Sequence, residues 1–235
     1  MTLRPSVARS DGVRSAVRIL CANLRRGRVT ADAFRSLLRS HHPDVVCVQE
    51  LTPGLAAVIR ETHRHGALHP HDSALGIGVA SRVPVRTDRL ALPHRPAVIA
   101  ELDTGDGDPM AIMSVHLTHP LAFPPRRSRG RRRIQMEAIV GYTGERGRVV
   151  VCGDLNTLDS WPLYRQLTTT VDDGGRALAA RRGLRPEPTW SLRPDGRPIL
   201  RLDHVLVRGV DVTALTVARL PGSDHRALVA DLAIA

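Results

Sequence analysis

The chain has 235 residues, 42% of them hydrophobic and 24% charged, which fits one sizeable domain with a real core. Its formal charge is +11, all 34 basic residues are arginine, and no apolar run approaches the ~20 residues needed to span a bilayer. Planar, bidentate guanidinium groups favour anionic partners such as nucleic acid, nucleotides, acidic lipid heads or phosphorylated metabolites, although GC-rich coding gives the same composition without any ligand.

The first sixteen residues carry Arg4, Arg9, Asp11 and Arg14 without the apolar stretch of a secretory signal. They read as a disordered lead to a single domain over 17–235, and a cytoplasmic location is expected. The first strand is expected over Val17–Cys21, ending at Asn23. Thr30 is an N-cap candidate for a helix with Ala33, Phe34, Leu37 and Leu38 on its apolar face, stopping before Pro43. Val45–Val48 is a continuous β-branched run, the pattern of a strand covered on both faces. Thr52 and Pro53 suit the N-cap and first turn of a second helix carrying Leu55, Val58 and Ile59. His63, His65, His69 and His71 follow at spacings that fit no usual metal ligand set, and read as a solvated helix end and loop.

Further strands are expected at Gly76–Ala80, Ala97–Leu102 and Ala111–His116. The dense group Arg126, Arg127, Arg129, Arg131, Arg132 and Arg133 reads as a loop, bordering a site or merely solvated, that precedes a helix with Ile134, Met136, Ile139 and Val140 as apolar positions. Val149–Cys152 is another buried strand, running into Gly153-Asp154, and Asp159 or Ser160 is a candidate cap for a short helix with Leu163, Tyr164 and Leu167. Asp172 and Asp173 read as structural residues before a Gly-Gly turn; late strands are expected at Leu202–Val207, Val210–Val217 and Ala227–Leu232. Cys21, Cys47 and Cys152 lie apart in apolar runs, which argues for buried free thiols rather than a disulfide framework. Few helices and many strands, several ending in a polar residue, predict an α/β (α+β) fold: two packed sheets with helices outside and a site at one edge.

Those strand ends carry Asn23, Gln49-Glu50, His116, Asp154 with Asn156, Asp203, and later Ser223-Asp224-His225. Each alone is ordinary; an Asp-x-Asn turn, for instance, is usually only a turn. Their order is not. The segments ILCANL, PDVVCVQEL, GIGVASRVPV, MSVHLTHP, VVVCGDLNT, PTW, LRLDHVLV and GSDHRALVADL follow one another along the chain. Together they resemble the endonuclease/exonuclease/phosphatase superfamily from Val17 to the end.

The resemblance implies a four-layer αββα sandwich of two mostly antiparallel sheets, and a divalent-metal-dependent hydrolase of phosphate esters. It implies Glu50 as the principal Mg²⁺ (or Mn²⁺) ligand, with Asn23 and Asp224 near the metal. Asp154 would orient or deprotonate the attacking water, Asn156 would bind water and phosphate, and His225, paired with Asp203, would contact the scissile phosphate as general base or charged clamp. His116 matches the second histidine of deoxyribonuclease-like and sphingomyelinase-like members, while His204 departs from a commonly aromatic position. Arg201, Trp190, Arg126 and Arg127 are candidate substrate contacts. The leading expectation is a phosphodiesterase of nuclease type. A phosphomonoesterase acting on a small metabolite and a non-catalytic binding protein on the same fold are the alternatives.

Overall fold

The structure is a computed structural model that describes residues 16–234. The lead expected over 1–16 therefore lies outside the described residues, except for Ala16, which opens the first strand. Along the chain run β1 (Ala16–Asn23), α1 (Ala31–His41), β2 (Val45–Gln49), α2 (Pro53–Arg60), β3 (His65–His69) and β4 (Ile77–Ser81). Next come β5 (Arg86–Leu90), β6 (Ala97–Leu102), β7 (Met110–His116), α3 (Pro125–Gly144), β8 (Val149–Asp154) and α4 (Pro162–Leu167). The chain finishes with β9 (Asp172–Asp173), α5 (Gly174–Arg181), β10 (Asp203–Arg208), β11 (Val210–Ala218) and β12 (Ala227–Ile234).

Two six-stranded sheets have the orders β11-β12-β1-β2-β4-β3 and β5-β6-β7-β8-β10-β9. Each contains one parallel pair, β1–β2 and β7–β8, and is otherwise antiparallel. Strand residues alternate faces, and that alternation makes the layers. In β1, Val17, Ile19 and Cys21 enter the core between the sheets, whereas Leu20 and Ala22 pack with Phe34 and Leu37 of α1 and Leu55 and Ile59 of α2. In β8, Val150 and Cys152 face the intersheet core, while Val149 and Val151 pack with Met136 and Ile139 of α3 and Tyr164 of α4. The result is the expected αββα sandwich, and the three thiols are free and buried.

Local predictions hold where a side chain acts on its own backbone. Thr30 Oγ1 accepts the Ala33 N–H at 3.2 Å, capping α1, and left-handed His42 ends that helix before Pro43. Thr52 stands at the α2 N-cap position without a side-chain hydrogen bond. Other expectations are corrected. α3 begins at Pro125, so the arginine group lies inside the helix, and Ile134 is exposed. α4 begins at Pro162, after Trp161, rather than at an Asp159 or Ser160 cap. The Gly-Gly turn is the first turn of α5, with Asp173 Oδ1 accepting from Arg176 N at 2.9 Å. The histidine segment forms edge strand β3; His63 before it is buried, bonded to Pro43 O at 3.0 Å.

Candidate active site

The period of two that builds the core also builds the site. Asn23 continues the inward row of Cys21, Gln49 that of Cys47, His116 that of Ser114, Asp154 that of Cys152, and Asp203 that of Val205. At this edge of the sandwich, polar side chains replace the apolar filling. Register aligns them: His116 pairs with Asp154 across the parallel β7–β8 ladder, and Asp203 pairs with Asp154 across β10–β8. Gly153 permits the close approach of β7 and β8, because a Cβ there would meet Val115 O at 1.9 Å. Gln49 Nε2 donates to Ser114 Oγ at 2.9 Å, tying the two sheets together just inside the site.

Asp154 is the hub. Its Oδ1 accepts the Asn156 N–H at 2.9 Å, and its Oδ2 accepts from Asn23 Nδ2 at 3.1 Å and Asn156 Nδ2 at 3.2 Å. His116 Nε2 lies 3.4 Å and His225 Nε2 3.8 Å from the same oxygen. Burial works against the carboxylate, but His225, His116 and the Asn156 amide outweigh it and hold Asp154 well below the ordinary range, so it is ionised. Asn156 and Glu50 both have left-handed backbones, φ 48° and 54°. Asparagine tolerates that conformation; at Glu50 it costs on the order of 1 kcal/mol.

Behind His225, its Nδ1 bonds Asp203 Oδ2 at 2.8 Å, and that oxygen also accepts from Thr189 Oγ1 at 2.6 Å. Burial disfavours the imidazolium, yet Asp203 and Asp154, with a smaller push from Asp224, raise its pKa to about 10. The ring is charged at neutral pH. Ser223 Oγ donates to Asn23 O at 2.9 Å and accepts from His225 N at 3.1 Å, locking the 223–225 turn to the end of β1.

Asn23 Nδ2 also lies 3.5 Å from Glu50 Oε1. The remaining acids face arginines: Glu50 Oε2 lies 3.5 Å from Arg26 Nε, and Asp224 Oδ1 lies 3.1 Å from Arg25 Nε. Among the described residues, the sets Asp154–Asp203–His225 and Asp159–Asp173–His204 bring three potential ligand atoms within 4.8 Å. In the first, His225 is already bonded to Asp203.

A cleft of about 490 Å³ opens over this cluster, lined by Glu50, His116, Asp154, Asn156, Asp224 and His225. Trp190 also lines it, as do Trp161, His119 and Leu158, which sequence reasoning did not select. Arg95 is the most telling omission. Its guanidinium reaches His116 Nε2 from the loop before β6, and its buried Nε has no partner. The only signal in the sequence was a loop His94-Arg95-Pro96 ahead of a strand. Arg25 and Arg26 were missed because only space brings them to Asp224 and Glu50.

Arg201 is placed elsewhere. It bonds Asp173 at 2.7 and 2.8 Å and Asp159 at 3.0 Å, in a buried network that includes the Tyr164 hydroxyl on Asp173 at 2.7 Å. Its candidacy as a substrate contact is corrected: the guanidinium is consumed by two carboxylates. His204 completes this network, with Nδ1 3.4 Å from Asp173 and Nε2 3.2 Å from Thr157 O. Arg126 and Arg127 are exposed on α3 and do not line the cleft.

Fold and site together define a class, the two-sheet sandwich with an acid–histidine cluster at the strand ends. The sequence description of the Endonuclease/Exonuclease/phosphatase family matches residues 20–225, and the chain belongs to that family, whose members are generally phosphoester hydrolases. Among solved structures it resembles an endonuclease/exonuclease/phosphatase from Beutenbergia cavernae DSM 12333, with TM-score 0.72 and 19% identity over 94% of this chain and 72% of that one. It also resembles a 3'-5' exonuclease from Neisseria meningitidis, with TM-score 0.71 and 19% identity over 91% and 98% of the two chains. A third is sphingomyelinase C from Streptomyces griseocarneus, with TM-score 0.65 and 14% identity over 92% and 99%. At these identities the likeness concerns the fold. No curated protein matches the chain.

Proposed function

We propose that the chain hydrolyses phosphate esters with the help of Mg²⁺ or Mn²⁺, phosphodiesters first among them. The observation that carries the reading is the convergence on Asp154 Oδ2 of His116 at 3.4 Å and His225 at 3.8 Å, with Asp203 2.8 Å behind His225. Hydrolysis needs an oriented water, positive charge against the nonbridging oxygens, and help for the leaving oxygen.

Asp154, ionised and fixed by Asn23 and Asn156, accepts a hydrogen bond from the attacking water and sets its direction. Asp203 and Asp154 favour the charged form of His225, which suits the ring to clamp the phosphate. Asp203 keeps it charged and oriented, as a positioning residue. Arg95 supplies further donors from the cleft lining, with His116 Nε2 accepting one of them and holding the guanidinium in place. Glu50, Asp224 and Asn23 offer the oxygen donors that a hard divalent cation prefers, whereas every thiol lies buried in the core. When bound, such a cation supplies positive charge against the charge that develops on the phosphate oxygens. A phosphomonoester is the second reading, favoured by a cleft of about 490 Å³, the size of a small-molecule pocket.

The test compares supercoiled plasmid, single-stranded DNA, a generic phosphodiester and phosphomonoesters, each with Mg²⁺, Mn²⁺ or EDTA. The expected result is metal-dependent hydrolysis that His225→Ala abolishes without unfolding the protein and that Glu50→Gln weakens together with Mg²⁺ affinity. Activity that survives in an Asp154→Asn/His225→Ala double variant, or silence on every substrate, would overturn the reading.

A further inference from the structure

The hydrolytic reading uses the polar lining of the cleft. The same cleft is also lined by Leu121, Leu158, Trp161, Trp190, Leu200 and Leu202. Both tryptophans of a chain that is only 3% aromatic stand there. Their seats are built. Buried Arg132 donates to Thr118 O at 2.6 Å and places its guanidinium 5.9 Å from the Trp161 ring centre. The Trp190 backbone is bridged to Leu200 and to His225, with Ile199 N donating to Trp190 O at 2.7 Å. Among the lining leucines, Leu121 is 79% exposed, an unusual amount of apolar surface beside a polar site.

Charge points the same way. Of 34 arginines, Arg95 alone lines the cleft among the described residues. A polynucleotide places a phosphate at every nucleotide and is held by a track of cations, with its bases stacked on aromatic rings. The lining offers two rings but no cation track, and the four leucines beside the rings have nothing polar to give a base. Apolar carbon packed on this lining is stabilised by every methylene removed from water.

We infer that the cleft selects a single phosphate ester whose alcohol is apolar, alkyl or aryl, with that alcohol lodged against Trp161, Trp190 and the neighbouring leucines. The inference rests on the hydrolytic reading above. In the reaction the water oxygen bonds to phosphorus and the P–O bond to the alcohol breaks. One water proton ends on the departing alcohol oxygen and the other stays on the released phosphate. Because alkyl alcohols of different length leave about equally well, chain length isolates binding to the wall from leaving-group chemistry.

The experiment uses the full chain with Mg²⁺ and compares methyl, butyl and hexyl phosphate, as monoesters and as diesters, with a single-stranded oligonucleotide. kcat/KM is expected to rise at least tenfold from methyl to hexyl, mainly through KM, and Trp161→Ala is expected to bring the hexyl-to-methyl ratio close to one. A second readout needs no turnover. Since both tryptophans line the cleft, their intrinsic emission should shift to shorter wavelength with hexylphosphonate at concentrations where methylphosphonate has no effect. Equal rates for all alkyl esters, or faster cleavage of the oligonucleotide, would overturn the inference and leave the hydrolytic reading standing. Silence on every ester would overturn the hydrolytic reading, and the phosphonate titration would still decide whether the apolar lining binds. Indistinguishable emission with the two phosphonates would sink it.

Discussion

At the scale of single residues, burial and pairing compete, and at His225 pairing wins. The ordinary imidazole pKa of 6.5 rises to about 10 in the folded chain. Below pH ~6.5 the folded and unfolded chains are both protonated there, and the full stabilisation is present. Between that pH and about 10 the folded state holds a proton the unfolded state lacks, so stability falls as pH rises, by up to roughly 1.4 kcal/mol per unit. Asp154 has the opposite sign: its contribution is present above the ordinary carboxylate range and is lost on acidification. Asp203→Asn removes the carboxylate that does most to charge His225. The variant should show a flatter stability profile between pH 7 and 10 and a lower imidazole midpoint in metal-free protein. Urea unfolding and NMR titration of the ring measure the two; an unchanged midpoint near 10 would show that Asp203 does not set the charge.

At the scale of elements, the buried network behind the site shows what the sequence could and could not tell. Arg201 adjoins Asp203, which made it look like a substrate contact; only the fold brings Asp159, Asp173 and Tyr164 around it. Burial opposes the Asp173 charge, yet His204 and Arg201 hold its carboxyl far below the ordinary range. Removing one partner of such a buried pair leaves the other charge stranded, a loss of about 3–5 kcal/mol. Arg201→Leu should therefore lower the unfolding free energy by that amount, read as a fall in the urea midpoint equal to the loss divided by an unchanged denaturant slope. A loss below about 1 kcal/mol would show that the network does not hold β10, α5 and the 154–159 loop together.

The same logic explains the elements that were hard to see. β2 was legible because Val45, Val46, Cys47 and Val48 are buried on both faces. β5 was not, because Arg86–Leu90 is an edge strand, polar and largely exposed. The first half of α3 hides its inward face, since the side chains buried there are Ser128, Arg132 and Gln135 rather than apolar ones. α5 opens on two glycines, which read as a turn until the Asp173 cap is seen. Candidate site residues at strand ends, such as Asp154 and Asp203, were readable because they close apolar runs in an order that resembles the family's. Arg95 and Trp161 were not, because loops bring them to the cleft.

At the scale of the whole molecule, the charge and the cleft oppose each other. The chain carries +11, yet Glu50, Asp154 and Asp224 line the cleft and Asp203 lies just behind it. A positive exterior raises the local concentration of any anion, but steering is not selection. Arg126, Arg127 and Arg129, exposed on α3, belong to that exterior field, while Arg132 of the same helix is turned inward beside Trp161. The two roles separate by mutation. Changing Arg126, Arg127 and Arg129 together to serine should weaken retention on DNA several-fold at low salt. It should also flatten the dependence of log affinity on log salt by up to roughly 0.9 for each phosphate contact removed. kcat/KM on a small phosphate ester should stay within twofold at physiological salt, where the Debye length of ~8 Å screens charges outside the cleft. Filter binding across a salt series and steady-state kinetics on one preparation measure both. If small-ester turnover fell along with DNA retention, the arginine face of α3 would be part of the substrate path, and the division between a steering exterior and a selecting cleft would be wrong.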